Sequence, residues 1–207
     1  MISLSNAVVF GWHSAIMGMR NPMNSWSKSD SVFYNDFSCQ IGQNDLDLMK
    51  TLIKAGTEHR KFLRMLHVQM DIEAPLYWWK EFETYKIGTV SNSCSTMHKI
   101  AAKEFTIEDF SVEHLLAENT VYFGKTIERL NNARNKFLET KDKKYWWQMI
   151  QLLPSSYNQL RTVDLNYEVL LNQYFQRKDH KLDEWRIYCE QIKCFPYLND
   201  FIEVLEK

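Results

Sequence analysis

Leu66, Val68, Met70 and Ile72 alternate with His67, Gln69 and Asp71, and this period of two is the clearest strand pattern in the chain. Ala74-Pro75 follows, with the proline suited to the first turn of a helix carrying Trp78, Trp79 and Phe82. Asn6 to Gly11 reads as a second, shorter strand that leads into a helix through Ser14, Ala15, Ile16 and Met19. Arg20-Asn21-Pro22 ends that helix, because the residue before a proline avoids helical angles. Ser25 to Gln43 is polar and aromatic and reads as a long loop, a length more often functional than idle. Leu46, Met49, Leu52 and Ile53 then mark an amphipathic helix closed by Gly56. Gly88 to Ser95 is small and hydroxyl-rich; it cannot build core and reads as a loop or a ligand contact.

From Asn119 onward the spacing is helical: Ile127, Leu130 and Phe137, then Asp142 as N-cap before Tyr145, Trp146, Met149 and Ile150. Pro154 stops that run. The next helix is predicted from about Asn158 to Gln176, with Tyr167, Leu170, Leu171, Tyr174 and Phe175 lying between Asn166 and Arg177. Asn166 and Arg177 are eleven residues apart, about three turns at roughly 3.6 residues each, so they project from nearly one side. Two polar groups on one side of an apolar helix point to a site shared with a polar ligand. Leu182, Trp185, Tyr188 and Ile192 form another helical face, Phe195-Pro196 punctuates, and Phe201 and Leu205 sit on a last short helix. Few strands with many helices, and no internal repeat, give an α+β fold.

With 207 residues the chain is long enough for a substantial core, and nothing Pro- or Gly-rich divides it, so a single domain over 1–207 is expected. Lys+Arg 25 against Asp+Glu 26 leaves a net charge of -1, which supplies no global attraction to a nucleic-acid polymer or an anionic membrane. Apolar runs fall short of the roughly 20 residues a membrane helix needs. The start, Met1-Ile2-Ser3-Leu4-Ser5-Asn6, lacks the regions of a signal peptide, so a cytoplasmic protein is expected. Cys39, Cys94, Cys189 and Cys194 show no Cys-x-x-Cys pair and no zinc spacing with the histidines; reduced thiols and no metal are expected. Trp78-Trp79 and Trp146-Trp147 point about 100° apart on a helix, so one ring can enter a core while the other meets a second surface. A subunit interface and simple core packing are both open.

No Gly-rich phosphate loop and no Gly-x-Ser-x-Gly elbow exists. His67, on the polar face of its strand, is a solvent-facing or hydrogen-bonded residue, whereas His59 and His98 sit beside loops where a ligand can reach them. Glu58, Glu81 and Glu83 read as ordinary helix charges, and Arg177 serves either a ligand or a structural ion pair. The residues alone stop at an α+β domain with a polar site and no assigned catalytic group.

A family pattern goes further. Leu153-Pro154, then Asn166, then Arg177 eleven residues later, resembles the carboxy-terminal signature of the flavin-dependent thymidylate synthases (thymidylate synthase complementing proteins). Cys194-Phe195-Pro196 and Phe201 are similar to that family's closing segment, and Leu66 to Ile72 with Ala74 resembles the part before its signature Arg-His-Arg-x-x-Ser-x-Asn-x-x-Ser-x-Arg. Asn92-x-x-Ser95 looks like the end of that signature, and Arg20 resembles an arginine of the amino-terminal segment. The resemblance implies a homotetramer with active sites at subunit interfaces, binding FAD and dUMP, taking hydride from NADPH and methylating the pyrimidine from methylenetetrahydrofolate. It puts Arg177 against the pyrimidine, Ser95 near the nucleotide and Asn166 near the flavin; Asn92, Lys86 and Tyr85 are expected to line the nucleotide site as well, and His59 and Arg20 to contact the cofactor.

This chain departs from the pattern at its charges. Thr84-Tyr85-Lys86 stands where the family has Arg-His-Arg, Met97 where the signature ends in arginine, Glu168 in place of the arginine of Asn-x-Arg, and Ile150 where an arginine helps hold phosphate. Each loss removes a planar, permanent cation whose charge-assisted bonds are worth about 1.5–3 kcal/mol. Arg20, Lys86, Arg134 and Arg161 stand as substitutes. Two functions follow as expectations: a divergent enzyme methylating a dUMP-like nucleotide with reduced FAD, or an inactive relative that sequesters or senses a nucleotide, such as a signalling nucleotide in bacterial or phage conflict.

Overall fold

The computed structural model describes residues 1–35 and 37–206. In chain order the elements are β1 (Ser3–Phe10), α1 (Trp12–Arg20), β2 (Val32–Asn35), β3 (Ser38–Gln40), α2 (Gln43–Lys54), β4 (His67–Pro75), α3 (Leu76–Phe82) and β5 (Thr89–Ser93). They continue as α4 (Thr96–Lys99), α5 (Ala117–Thr140), α6 (Lys143–Leu152), β6 (Asn158–Asn166), α7 (Tyr167–Arg177), α8 (Asp183–Ile192) and α9 (Leu198–Glu206). β1, β4, β6 and β5 form a four-stranded sheet in that order, and β2 pairs antiparallel with β3 in a separate ribbon. This is an α+β arrangement with few strands and many helices. Among the described residues no helix is long and apolar enough to cross a membrane.

The alternation in β4 does what its pattern predicts: Val68, Met70, Ile72 and Ala74 are buried while Gln69 and Glu73 are exposed. Pro75 occupies the N-cap of α3, one position before the first turn. Trp78 and Trp79 both lie wholly in the core, which is the simple core packing of the two readings left open for this pair. Trp78 stacks on Phe82 at 5.1 Å and the Trp79 indole N–H donates to the Gln159 carbonyl at 2.9 Å, so each ring has an internal partner. Trp146 and Trp147 do divide, with Trp146 partly covered and Trp147 exposed.

Three segments differ from their sequence reading. Residues 158–166, expected as helix, form β6, and the helix begins only at Tyr167. The inward positions of β6 are Gln159, Arg161, Val163 and Leu165, and the two polar ones conceal the alternation: Gln159 is buried, and Arg161 lies over the Trp79 ring at 4.3 Å. The segment expected as a long loop contains the β2–β3 ribbon. Gly88 to Ser95 holds the edge strand β5, which is largely exposed and contributes nothing to the core.

Packing resolves two compact units. One comprises Met1–Ser3, Ile72–Thr84 and Asn92–Arg161. Its core includes Ile100, Phe105, Phe110, Leu130, Ala133 and Met149, with Phe110 edge-on to Phe123 and Tyr157 at 5.1 and 5.6 Å. Asp142 caps α6 as expected, accepting from the Lys144 N–H at 2.9 Å. The other comprises Leu4–Asp71, Tyr85–Ser91 and Thr162–Lys207. Here Trp12 stands edge-on to Tyr167 and Tyr197, each at 5.6 Å, and the Tyr167 hydroxyl donates to the Pro196 carbonyl at 2.8 Å. Gly11 turns the chain from β1 into α1 at φ 95°, and a Cβ there would fall 2.2 Å from the Met65 carbonyl oxygen.

A buried ion pair closes the span between α1 and α2. Arg20 Nε donates to Asp45 at 2.6 Å with both side chains inaccessible, and the same carboxylate accepts from the Ser29 and Ser31 hydroxyls and the Asp30 and Ser31 amides. Asp30 in turn accepts from the Asn44 and Asp45 amides in the first turn of α2. Burial works against the ionised Asp45, but the bonds from Ser31, Ser29 and Arg20 outweigh it and hold the carboxyl below its ordinary value of 3.8. Its contribution to stability is therefore complete above that value and is lost as pH falls through the lower folded one. Asp45→Ala leaves Arg20 buried and unpaired and is expected to cost about 3–5 kcal/mol. Urea unfolding at neutral pH measures this; a loss below about 1 kcal/mol, the range of an exposed pair, would contradict it.

Candidate functional site

Arg177 ends α7, where a cation suits the negative end of the helix, and Trp185 lies in the first half of α8. The two meet: the guanidinium sits 4.9 Å from the Trp185 ring centroid and 5.7 Å from that of Tyr85. Arg177 Nε donates to the Tyr85 hydroxyl at 2.9 Å, and that hydroxyl donates to Gln176 Oε1 at 2.9 Å. Two residues assigned to a nucleotide by resemblance, Tyr85 and Arg177, are thus brought together, and Trp185 completes an aromatic seat that the sequence reading did not assign. Lys86 is exposed beside them in sequence.

Asn166 has a different task from the one its spacing suggests. It is the N-cap of α7, its Oδ1 accepting from the Val169 amide at 3.1 Å, and it is buried. Gly88, at φ 76°, passes so close that a Cβ would stand 2.7 Å from Asn166 Nδ2. His59 is exposed, and its neighbour Arg60 holds Glu168 through bonds of 2.9 and 3.1 Å. Arg20 is committed to Asp45. The other substitutes are also engaged: Arg134 donates to the Ala101 carbonyl at 3.1 Å, and Arg161 pairs with Glu83 at 2.7 Å. Among the ordinary helix charges, then, Glu83 has a structural partner.

Asn92 is exposed on β5, whereas Ser95 caps α4 by accepting from the His98 amide at 3.0 Å, leaving His98 itself exposed. Ser95 lines a cavity of about 260 Å³ together with Glu73, Thr96, Lys99, Lys103 and Tyr157. Lys103 is ion-paired to Asp109, the bond that chiefly raises its pKa. The Lys99 ammonium and the Glu73 carboxylate have no hydrogen bond or ion pair among the described residues. Burial and the Asp109 charge push the Tyr157 hydroxyl above its ordinary value, so it remains a donor. Lys99 and Lys103 went unread in the sequence, although Ser95, Lys99 and Lys103 recur every fourth residue.

A larger opening of about 460 Å³, between Phe10, Trp12, His13, Phe37 and Gln69, has no Lys, Arg, Asp or Glu among its described lining residues. His67, outside it, bonds Asp164 at 2.8 Å and stacks on Phe10, consistent with a hydrogen-bonded strand histidine. Burial pushes the Cys39 thiol up to about 11 and Cys189 to about 12, so neither supplies a thiolate at neutral pH. All four cysteines are free. No group of three or more His, Cys, Asp or Glu is placed to hold a metal among the described residues.

No protein-family model matches the chain, and no curated protein matches it in sequence. Solved structures do match. The flavin-dependent thymidylate synthase ThyX of Helicobacter pylori, crystallised with FAD and dUMP, superposes with a TM-score of 0.68 at 15% identity, over 96% of this chain and 97% of that one. A second structure of the Helicobacter pylori enzyme with FAD and dUMP gives 0.68 and 15%, over 100% and 99%. The chain therefore has the fold of the flavin-dependent thymidylate synthases from end to end, as the resemblance implies.

The residues expected at the flavin do not fit it. Arg20 is 3% exposed and paired, Asn166 is 7% exposed and capping a helix, and Glu168 brings a negative charge where an arginine is expected. Of that set only His59 faces solvent, too little to hold a dinucleotide's diphosphate. Tyr85→Phe removes the hydroxyl that links Arg177 to Gln176 and is expected to cost about 1 kcal/mol in stability, with a shift in tryptophan emission from Trp185. Denaturant unfolding followed by fluorescence checks both; an unchanged spectrum would mean that Tyr85 does not set the Arg177–Trp185 stack.

Proposed function

We propose that the chain binds a pyrimidine nucleotide of dUMP type at sites shared between subunits of a homotetramer, without flavin chemistry. The observation that carries this is the Arg177 assembly, in which a partly exposed guanidinium lies 4.9 Å from the Trp185 ring centroid and donates to the Tyr85 hydroxyl. A fixed guanidinium plane stacks on a flat ring and bonds its carbonyl edge, and little rotamer freedom remains to be lost on binding. In this reading Arg177 and Tyr85 meet the pyrimidine, and Lys86, next to Tyr85 in the chain, supplies a cation for the phosphate. Sequestering or sensing is the role left to a binding protein that lacks a fitting flavin site. Methylation with reduced FAD is the second reading, favoured by the nearly complete superposition on enzymes crystallised with FAD and dUMP.

Thermal unfolding with added dUMP separates these outcomes. At 100 times the dissociation constant, a ligand that binds only the folded protein adds about 2.7 kcal/mol. The wild type is expected to be stabilised accordingly and Arg177→Ala to show no shift. No shift of the wild type across a panel of nucleotides and cyclic nucleotides would overturn nucleotide binding. Flavin absorbance retained after incubation with FAD and gel filtration would overturn the exclusion of flavin and support the second reading.

A further inference from the structure

We propose that the opening of about 460 Å³ between the end of β1, the start of α1 and the β2–β3 ribbon binds a small aromatic carboxylate. Its described lining residues all belong to one compact unit. Gly11 is the N-cap of α1 at φ 95°, a conformation that suits glycine and brings no side chain to cap the helix. The first turn, Trp12-His13-Ser14, holds no acidic residue either. Ala15 is the first amide of α1 bonded to the Gly11 carbonyl, at 2.9 Å, so the amides before it are left for another acceptor. The helix dipole places roughly half an elementary positive charge at the same end.

A second observation is independent of the helix end. Trp12 is 3% exposed, its ring held edge-on to Tyr167 and Tyr197, and its indole N–H has no hydrogen-bond partner among the described residues. That N–H is nevertheless not sealed from solvent. The small part of Trp12 left accessible therefore includes a donor, and Trp12 lines this opening. An acceptor on a ligand would satisfy it. Phe10 and Phe37 stand edge to face with centroids 6.5 Å apart, and Phe37 is 63% exposed, so a flat ring entering beside it removes apolar surface from water.

Donors outnumber acceptors here. Ser14 adds a hydroxyl and Asn35 its Nδ2, whereas Asn35 Oδ1 is engaged by the Phe37 amide at 2.9 Å and Gln69 Nε2 by Asp164 at 2.8 Å. The side-chain acceptors left are Gln69 Oε1 and, when neutral, one His13 ring nitrogen. This imbalance suits a carboxylate, which accepts at about four sites and donates nothing, over a carboxamide, which brings two N–H groups of its own. With no Lys or Arg in the lining, a partial charge compensates a monoanion better than a phosphate dianion. The volume falls within the roughly 300–1,000 Å³ of small-molecule sites.

Calorimetric titration of the full chain with 2-naphthoate, 2-naphthamide and 2-naphthyl phosphate tests this on the wild type, Ser14→Asp and Phe37→Ala. The wild type is expected to bind 2-naphthoate, with 2-naphthamide and 2-naphthyl phosphate each weaker by roughly tenfold or more. Ser14 is exposed, and a carboxylate in the first turn suits the dipole while competing for the amides. Ser14→Asp is therefore expected to lose 2-naphthoate binding with its melting temperature unchanged or raised. Phe37→Ala is expected to weaken 2-naphthoate and 2-naphthamide alike. No 2-naphthoate binding by the wild type at millimolar concentration, or undiminished binding by Ser14→Asp, would overturn the site. Tighter binding of the phosphate than of 2-naphthoate would overturn the carboxylate assignment.

Discussion

The carboxylate of Asp45 decides both how a long polar segment folds and what one arginine is free to do. It collects the Arg20 guanidinium, two serine hydroxyls and two amides, and through Asp30 the same segment caps the start of α2. An unpaired charge at that depth is prohibitive, so the pair stands or falls together. The consequence reaches function. An arginine at a sequence position suited to a cofactor is withdrawn from solvent and spent on holding the chain to itself.

The same economy recurs across the molecule. Arg60 holds Glu168, Arg161 lies between Trp79 and Glu83, Arg134 bonds a carbonyl, and Arg186 pairs with Asp183. The fold is that of enzymes crystallised with FAD and dUMP, yet its guanidinium groups mostly stabilise the protein. Arg177 lies over the Trp185 ring and bonds the Tyr85 hydroxyl, and exposed lysines such as Lys86 and Lys99 complete the basic groups at the surface. Lysine is a compact point charge that can meet a monophosphate, whereas the forked geometry suited to bidentate phosphate recognition belongs to arginine. A mononucleotide matches this set better than a dinucleotide.

Much of the architecture was legible because apolar periodicity reports burial. β4, α2, α6 and α8 follow their patterns closely, and Asp142 caps where its position implies. β6 was obscured because Gln159 and Arg161 occupy inward positions that a strand pattern expects to be apolar. β5 was obscured in the opposite way: an exposed edge strand has no apolar face to betray it. Tyr85 and Arg177 were found as site candidates through resemblance, but Asn166, read as stacked with Arg177, is the helix cap instead. Lys99 escaped because a one-turn helix is too short for periodicity to speak. Trp185 escaped because its burial looks like core until its neighbour across the turn is an arginine.

Equilibrium dialysis of the purified chain against labelled dUMP and, in parallel, labelled FAD tests the central claim most directly. Retention of dUMP near one per chain with no retention of FAD is the predicted result. Stoichiometric retention of FAD, or failure to retain dUMP, would contradict it.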